Sequence, residues 1–191
     1  MSGEPYWRIV GASWVVFWVY WTMSAIRLRT SRRQAPLAFT VLNMALMYAG
    51  FVLVFTSRTV HGALGTRFVP TAVWVAAFGA ACVVAGVALA IWARRVLGRN
   101  WSGRVRIVEG QRLVRTGPYA LARHPIYTGM LLAVLGAALV GGTLGGLLGF
   151  GLVLASFWQK ARREERFLIE EFGDDYAAYR RAVAFLVPFV W

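Results

Sequence analysis

The sequence predicts an all-α integral membrane protein with five transmembrane helices, of which the last two form a helical hairpin. Of its 191 residues, 59% are hydrophobic and 15% are charged, and the mean hydropathy is +0.57. The apolar residues gather in blocks of about twenty, the length at which an α-helix spans a bilayer. A soluble domain of this size needs more polar surface than this composition supplies, so a soluble fold is excluded.

Three apolar blocks predict the first three helices. They run from Trp7 to Ile26, from Pro36 to Phe55 and from Pro70 to Trp92, and each is long enough for one crossing. The first block is followed by four arginines between positions 27 and 33 instead of a small-residue cleavage site. We therefore expect a retained helix and not a signal peptide.

The fourth apolar block, residues 126–158, is too long for one untilted span at about 1.5 Å per residue. Its centre reads GGTLGG at 141–146, which is compatible with a turn between two short helices or with close packing in one tilted helix. A hairpin places 18 of the 21 Lys and Arg residues on one side of the membrane. The positive-inside rule therefore favours the hairpin, with the N-terminus outside and the C-terminus in the cytoplasm.

Two polar segments, residues 94–125 and 159–191, flank the hairpin and are predicted to be cytoplasmic. Six of the eight acidic residues lie in the second segment, which is typical of a helix that extends from the last span and stops at Gly173. The chain is thus predicted to divide into three N-terminal transmembrane helices, residues 1–93, and a core of residues 94–191 that carries the chemistry.

The formal net charge of +13 can indicate a nucleic-acid partner. Membrane topology explains this charge better, so we expect membrane lipids as partners and no nucleic acid. Cys82 is the one cysteine, which excludes an intramolecular disulfide and a cysteine cluster for zinc or iron and sulfur. We expect no metal site.

Chemically active side chains concentrate at the predicted cytoplasmic ends of the hairpin. The segment RHPIYTG, residues 123–129, opens it, Tyr119 precedes this segment, and Glu164 and Glu165 follow the hairpin. A cation, an imidazole, aromatic rings and carboxylates together suit a zwitterionic ligand with an aromatic group. The same residues also fit a structural interpretation, as headgroup anchors and a solvated helix face.

Two stretches of the sequence carry a family resemblance. They are LGRNWSGRVRIVEGQRLVRTGPYALARHPIYTG and EERFLIEEFGDDYAAYRRAV, which join RHPxYxG to EExxL and then to FGxxYxxY. Over residues 97–191 the chain resembles the isoprenylcysteine carboxyl methyltransferase and phospholipid methyltransferase superfamily. The resemblance implies a methyltransferase that uses S-adenosylmethionine, encloses it with cytoplasmic segments and takes a lipophilic or lipidated acceptor from the bilayer.

The resemblance also implies functional residues. Lys160 falls on the position of the family's substrate-orienting basic residue, and we expect Lys160 and Arg123 to be catalytic. The implied cofactor contacts are Gln111, Arg112, Leu113, Val114, Tyr119, His124, Pro125, Ile126, Tyr127, Glu164 and Glu165. The chain departs from the family in two places, because Lys160 stands where an Arg is usual and no basic residue closely precedes Pro188.

The expected acceptor is an isoprenylcysteine-like carboxylate, which would be O-methylated, with a phospholipid amine or a small thiol as alternatives. A carboxylate is ionised at neutral pH, whereas an amine or a thiol must lose a proton, for which Tyr127 and Glu165 are candidate bases. Two alternatives of another class are a non-catalytic membrane scaffold and a membrane reductase that uses NADPH. Binding of S-adenosylmethionine, of NADPH or of neither distinguishes the methyltransferase, the reductase and the scaffold.

Overall fold

The computed structural model describes residues 3–25, 31–98, 106–108 and 113–187. These residues contain five α-helices, and the predicted all-α class is confirmed. Three segments, Leu37–Thr59, Val73–Leu97 and Leu144–Ala182, are long and apolar enough to cross a membrane, whereas the count of five crossings stays a prediction. The helices are α1 (Glu4–Ala25), α2 (Leu37–Thr56), α3 (Val73–Leu97), α4 (Pro125–Gly141) and α5 (Leu144–Ala182).

The predicted hairpin is formed by α4 and α5, and the alternative of one long tilted helix is wrong. Gly142 ends α4 in the left-handed conformation, with φ of +65°, and its N–H donates to the carbonyl of Ala138 at 2.7 Å. Thr143 caps α5, since its hydroxyl accepts from the N–H of Gly146 at 3.1 Å. A glycine supplies the left-handed turn and a threonine supplies the cap, so GGTLGG is a turn sequence.

Helix α5 has 39 residues and is broken at Gly173, which has φ of +49° and ψ of −123°. The helix was expected to stop there, but it resumes and continues to Ala182. Tyr176 and Tyr179 are buried after the break and pack with Val183 in a small apolar cluster. Burial of these two aromatic side chains stabilises the last turns of the helix.

A short two-stranded sheet, which the sequence does not predict, joins the two polar connections. Strand β1 (Ser31–Gln34) pairs antiparallel with β2 (Arg106–Val108), with Arg33 opposite Ile107. Strands of three and four residues that are rich in arginine lack the alternation by which strands are recognised. The pairing places the connection between α3 and α4 beside the one between α1 and α2.

Glycines let α3 and α4 approach each other closely. A Cβ on Gly129 of α4 would lie 2.5 Å from the carbonyl oxygen of Gly86 on α3, and one on Gly86 would lie 2.4 Å from that of Gly129. Gly136 and Gly79 make the same kind of contact about two helical turns further along the two helices. Small residues of this kind allow backbone contact between transmembrane helices. Helix α4 is thereby fixed, and so are the side chains at its start.

Replacing Gly129 with valine is expected to lower the stability of the protein by about 1–3 kcal/mol, because the new side chain meets backbone atoms of α3. Thermal unfolding in detergent measures this effect. Gly151→Val on α5 is the matched control, since a Cβ there meets no atom within 4 Å. Equal losses of stability in the two variants would contradict the close packing of α3 and α4.

Candidate functional site

The candidate site lies where the start of α4, the middle of α5 and the segment after α5 meet. Pro125 occupies the first position of α4, where its missing N–H costs no hydrogen bond. The preceding residues pair with the segment after α5, because the N–H of Arg123 donates to Ala184 at 2.8 Å and that of His124 to Phe185 at 3.3 Å. This backbone pairing fixes the RHPIY segment against the C-terminal part of the chain.

Glu165 is the buried member of the two neighbouring acids, with 4% of its side chain exposed. Its Oε1 accepts from Arg123 Nε at 2.6 Å and from the hydroxyl of Tyr176 at 3.2 Å. Burial raises the pKa of the Glu165 carboxyl, but His124 and Arg123 together lower it further, to about 2. The carboxylate is therefore ionised and held by protein groups.

The stability that Glu165 contributes is expected to depend on pH. Because its folded pKa of about 2 lies below the ordinary value of 4.5, this contribution is complete above pH 4.5 and is lost as the pH falls towards 2. Thermal unfolding in detergent across this range measures the loss. In a Glu165→Gln variant, which cannot titrate at this position, stability should decline less steeply as the pH falls. Parallel stability curves for the two proteins would contradict the lowered pKa of Glu165.

Arg123 joins three parts of the chain. Besides the bond to Glu165 on α5, its Nη1 donates to the carbonyl of Arg180 at 3.0 Å and to that of Val183. One guanidinium thus binds two carbonyl groups near the end of α5 and a carboxylate in its middle. These contacts favour a positioning role for Arg123, and its catalytic role stays a prediction.

Glu164 is more open than its neighbour, with 23% of its side chain exposed. Its Oε1 accepts from the hydroxyl of Tyr127 at 2.6 Å, and its Oε2 lies 3.7 Å from His124 Nδ1. One carboxylate oxygen is therefore fixed by a tyrosine, while the group as a whole remains accessible. A partly open carboxylate of this kind suits a cationic ligand.

Aromatic rings stack beside Glu164. The ring of Tyr127 is stacked with that of His124, at 5.6 Å and 8°, and with that of Phe157, at 4.9 Å and 10°. Lys160 Nζ lies 5.4 Å from the centre of the Tyr127 ring. Since the ring of Tyr127 is buried and contacts these side chains, the polar group that Tyr127 presents is its hydroxyl.

Tyr119 lies in the loop before α4 and is buried. Burial raises the pKa of its phenol, and the nearby Glu164 carboxylate raises it further, so the hydroxyl is uncharged at neutral pH. Its backbone carbonyl accepts from the hydroxyl of Tyr179 at 2.6 Å. Tyr119 is thus tied to the end of α5 through its backbone, and its uncharged phenol lies close enough to Glu164 to interact with it electrostatically.

The structure brings most of the predicted site residues together. Tyr119, His124, Tyr127, Lys160, Glu164 and Glu165 surround one region, and Pro125 and Ile126 are buried in the first turn of α4. Leu113 packs with the cluster of Tyr176 and Tyr179, and Val114 packs against the main core. Gln111 and Arg112 lie outside the described residues.

Sequence reasoning missed two residues that shape this region. Phe157 supports the ring of Tyr127, but in the sequence it is one apolar residue within a span. Arg94 is buried at the end of α3, where Nη2 donates to Ser24 at 2.9 Å and Nη1 to Gly98 at 2.7 Å. An arginine at the end of an apolar block ordinarily indicates a headgroup anchor, so its burial has no sequence signal.

Comparison with known proteins relates this architecture to membrane methyltransferases. Residues 74–175 match the phospholipid methyltransferase family. The chain is 39% identical over 79 residues to a protein-S-isoprenylcysteine O-methyltransferase of Schizosaccharomyces pombe, covering 41% of this chain and 34% of that one. It is 33% identical over 120 residues to protein-S-isoprenylcysteine O-methyltransferase A of Arabidopsis thaliana, covering 61% of each. The chain thus aligns with only 34% and 61% of the lengths of these two relatives.

The fold is also similar to a solved structure, that of a eukaryotic intramembrane Ras methyltransferase, isoprenylcysteine carboxyl methyltransferase. The two share a TM-score of 0.58 and 24% sequence identity, over 77% of this chain and 52% of the other. This likeness supports the helical membrane architecture.

Proposed function

The chain belongs to the phospholipid methyltransferase family, and we propose that it transfers a methyl group from S-adenosylmethionine to a lipophilic acceptor at the membrane interface. The observation that carries the proposal is the pairing of Glu164 with the hydroxyl of Tyr127 beside His124. This partly open carboxylate lies where α4, α5 and the segment after α5 meet, close to the predicted membrane boundary.

The residues present fit the cofactor. S-adenosylmethionine carries an ammonium and a sulfonium, and Glu164 offers a carboxylate for a cation. His124 Nε2 is buried and makes no hydrogen bond with the described residues, since Glu165 Oε1 lies 3.6 Å away. The nearest anion to this nitrogen is thus the Glu165 carboxylate. We further propose that Gln111, Arg112, Leu113 and Val114 line the cofactor, as the family resemblance implies.

When bound, S-adenosylmethionine would supply an activated methyl group on a positively charged sulfur. The protein therefore has to align the acceptor and exclude water. Glu164 would hold the cationic part of the cofactor, and the hydroxyl of Tyr127 fixes that carboxylate. Arg123 and Glu165 hold α4, α5 and the C-terminal segment in place. Lys160, beside the ring of Tyr127, orients the negative charge of the acceptor.

The state of the two candidate bases favours a carboxylate acceptor. Glu165 is ion-paired, and its pKa of about 2 makes it a weak proton acceptor at neutral pH. The hydroxyl of Tyr127 donates to Glu164, so it is also poorly placed to take a proton. An isoprenylcysteine-like carboxylate needs no base, because it is already ionised at neutral pH. We therefore propose carboxyl O-methylation over methylation of an amine or a thiol.

The proposed orientation places the N-terminus outside and the candidate site on the cytoplasmic side. It rests on the 18 cations that the hairpin topology assigns to one side of the membrane. In this arrangement residues 1–93 form the N-terminal membrane unit, and residues 94–191 form the methyltransferase core. Reporter fusions after residue 191 should be active only when the reporter folds in the cytoplasm, and activity of a periplasmic or luminal reporter would contradict this topology.

An acceptor screen tests the proposal. Membranes that contain the full chain are incubated with methyl-labelled S-adenosylmethionine and with S-farnesylcysteine, phosphatidylethanolamine or hexanethiol. We expect a base-labile methyl ester on S-farnesylcysteine and no label on its carboxamide. Label on the amine or the thiol alone would contradict carboxyl methylation, absence of label from all three would favour the scaffold, and NADPH binding would favour the reductase.

A further inference from the structure

A cleft of about 460 Å³ lies at the end of the helix bundle opposite the candidate site. It is bounded by the first turns of α1 and α3, by the connection between α2 and α3, and by the end of α4. These elements are the ends of apolar helices, so the cleft lies at the other boundary of the membrane. It has no part in the function proposed above.

Two arginines give this cleft a positive charge. The guanidinium of Arg58 lies 4.6 Å from the centre of the Trp7 ring, and Arg67 Nη1 donates to the carbonyl of Gly141 at 2.9 Å. Glu4 is the one acid among the described residues that line the cleft. No described carboxylate lies within 4 Å of Arg58 or Arg67. Among the residues that the structure describes, both guanidinium groups are therefore held in position without a carboxylate partner.

One wall of the same cleft is apolar. Val75 and Ala76 of α3 and Leu139 and Val140 of α4 line it. An apolar wall next to two guanidinium groups is typical of a lipid-binding site. In such a site the charged groups contact the headgroup and the apolar residues contact the acyl chain. Trp7 belongs to the residue type that is enriched at this depth of a bilayer.

We propose that this cleft binds one phospholipid through its phosphate. Arg58 and Arg67 contact the phosphate oxygens, and an acyl chain lies along the wall that α3 and α4 form. The charges are complementary, since two guanidinium groups and one carboxylate leave a single positive charge for the single negative charge of a phosphodiester. A soluble phosphate ester would contact the arginines and leave the apolar wall without a partner.

Native mass spectrometry of the detergent-purified full chain tests this site. The probes are palmitoyl-oleoyl-phosphatidylglycerol, palmitoyl-oleoyl-glycerol, which lacks the phosphate, and glycerol 1-phosphate, which lacks the acyl chains. Arg58→Gln removes one phosphate contact, and Arg67→Gln removes the other. Arg8→Gln is the matched control, because Arg8 is exposed near the same end of α1 and does not line the cleft.

We expect one saturable phosphatidylglycerol that binds about fivefold more weakly to Arg58→Gln and to Arg67→Gln, and with unchanged affinity to Arg8→Gln. Palmitoyl-oleoyl-glycerol should bind weakly, and glycerol 1-phosphate should not compete. Equal binding of the lipid without phosphate, or an equal loss in Arg8→Gln, would overturn the proposal. Complete competition by glycerol 1-phosphate would also overturn it, since the site would then belong to a soluble phosphate ester.

Discussion

Glu165→Gln is expected to lower the free energy of unfolding by about 3–5 kcal/mol. The substitution leaves the guanidinium of Arg123, whose side chain is 10% exposed, without the carboxylate that binds it at 2.6 Å. It also weakens the bond that the hydroxyl of Tyr176 donates to the same oxygen. Because Arg123 holds α4, α5 and the segment after α5 together, the loss should reduce the cooperativity of unfolding as well. Thermal or denaturant unfolding in detergent measures both quantities.

Two controls separate the ion pair from a general effect of removing charge. Glu171→Gln makes the same change at an exposed position of α5, and it should alter stability by less than about 0.5 kcal/mol. In the double variant Glu165→Gln and Arg123→Gln, the loss should be smaller than the sum of the two single losses. Additive losses, or a Glu165→Gln effect no larger than that of Glu171→Gln, would show that the pair is not coupled.

Glu164→Gln is expected to weaken the binding of S-adenosylmethionine about 10- to 100-fold, while the protein stays folded. A hydrogen bond to a charged group contributes about 1.5–3 kcal/mol, which corresponds to this range. Glutamine retains an oxygen that accepts from the hydroxyl of Tyr127, so the local structure is conserved and the negative charge is lost. Calorimetric titration of the purified variant measures the affinity.

The specificity of this effect is tested by two further variants. Glu171→Gln removes a negative charge about two turns further along α5. This variant should bind the cofactor like the unmodified protein. Tyr127→Phe keeps the carboxylate but removes the hydroxyl that fixes it at 2.6 Å, so a smaller loss, of about tenfold, is expected. A Glu164→Gln variant that binds with unchanged affinity would remove Glu164 from the cofactor site.

Much of the fold could be predicted because membrane crossing leaves strong signals in a sequence. The apolar blocks predicted the helices. The distribution of arginines favoured a hairpin over one long helix, and Gly142 and Thr143 form the turn of that hairpin. The position of the site followed from the same topology, since a hairpin brings His124 and Glu164 to one end of the bundle. Each of these predictions depends on local composition or on chain order.

The different roles of the two neighbouring acids could not be predicted from the sequence. Glu164 and Glu165 are adjacent and chemically alike, but a helical step of about 100° turns one towards open space and the other towards Arg123. Which acid is buried depends on where the segment after α5 returns, and that is set by its backbone pairing with Arg123 and His124. Such pairing between short irregular segments has no periodic signal.

The contacts that support the candidate site could not be predicted from the sequence for the same reason. Phe157 contacts the ring of Tyr127 because α4 and α5 are antiparallel with a fixed offset, which the turn at Gly142 determines. The short sheet of β1 and β2 likewise joins segments that are distant in the chain. These contacts arise from tertiary packing, and a sequence read one segment at a time does not contain them.

Calorimetric titration of the detergent-purified full chain with S-adenosylmethionine tests the central claim most directly. We predict saturable binding at one site per chain, competition by S-adenosylhomocysteine, and the losses described above in the Glu164→Gln and Tyr127→Phe variants. Absence of binding by protein that unfolds cooperatively would contradict the assignment of this chain as a methyltransferase.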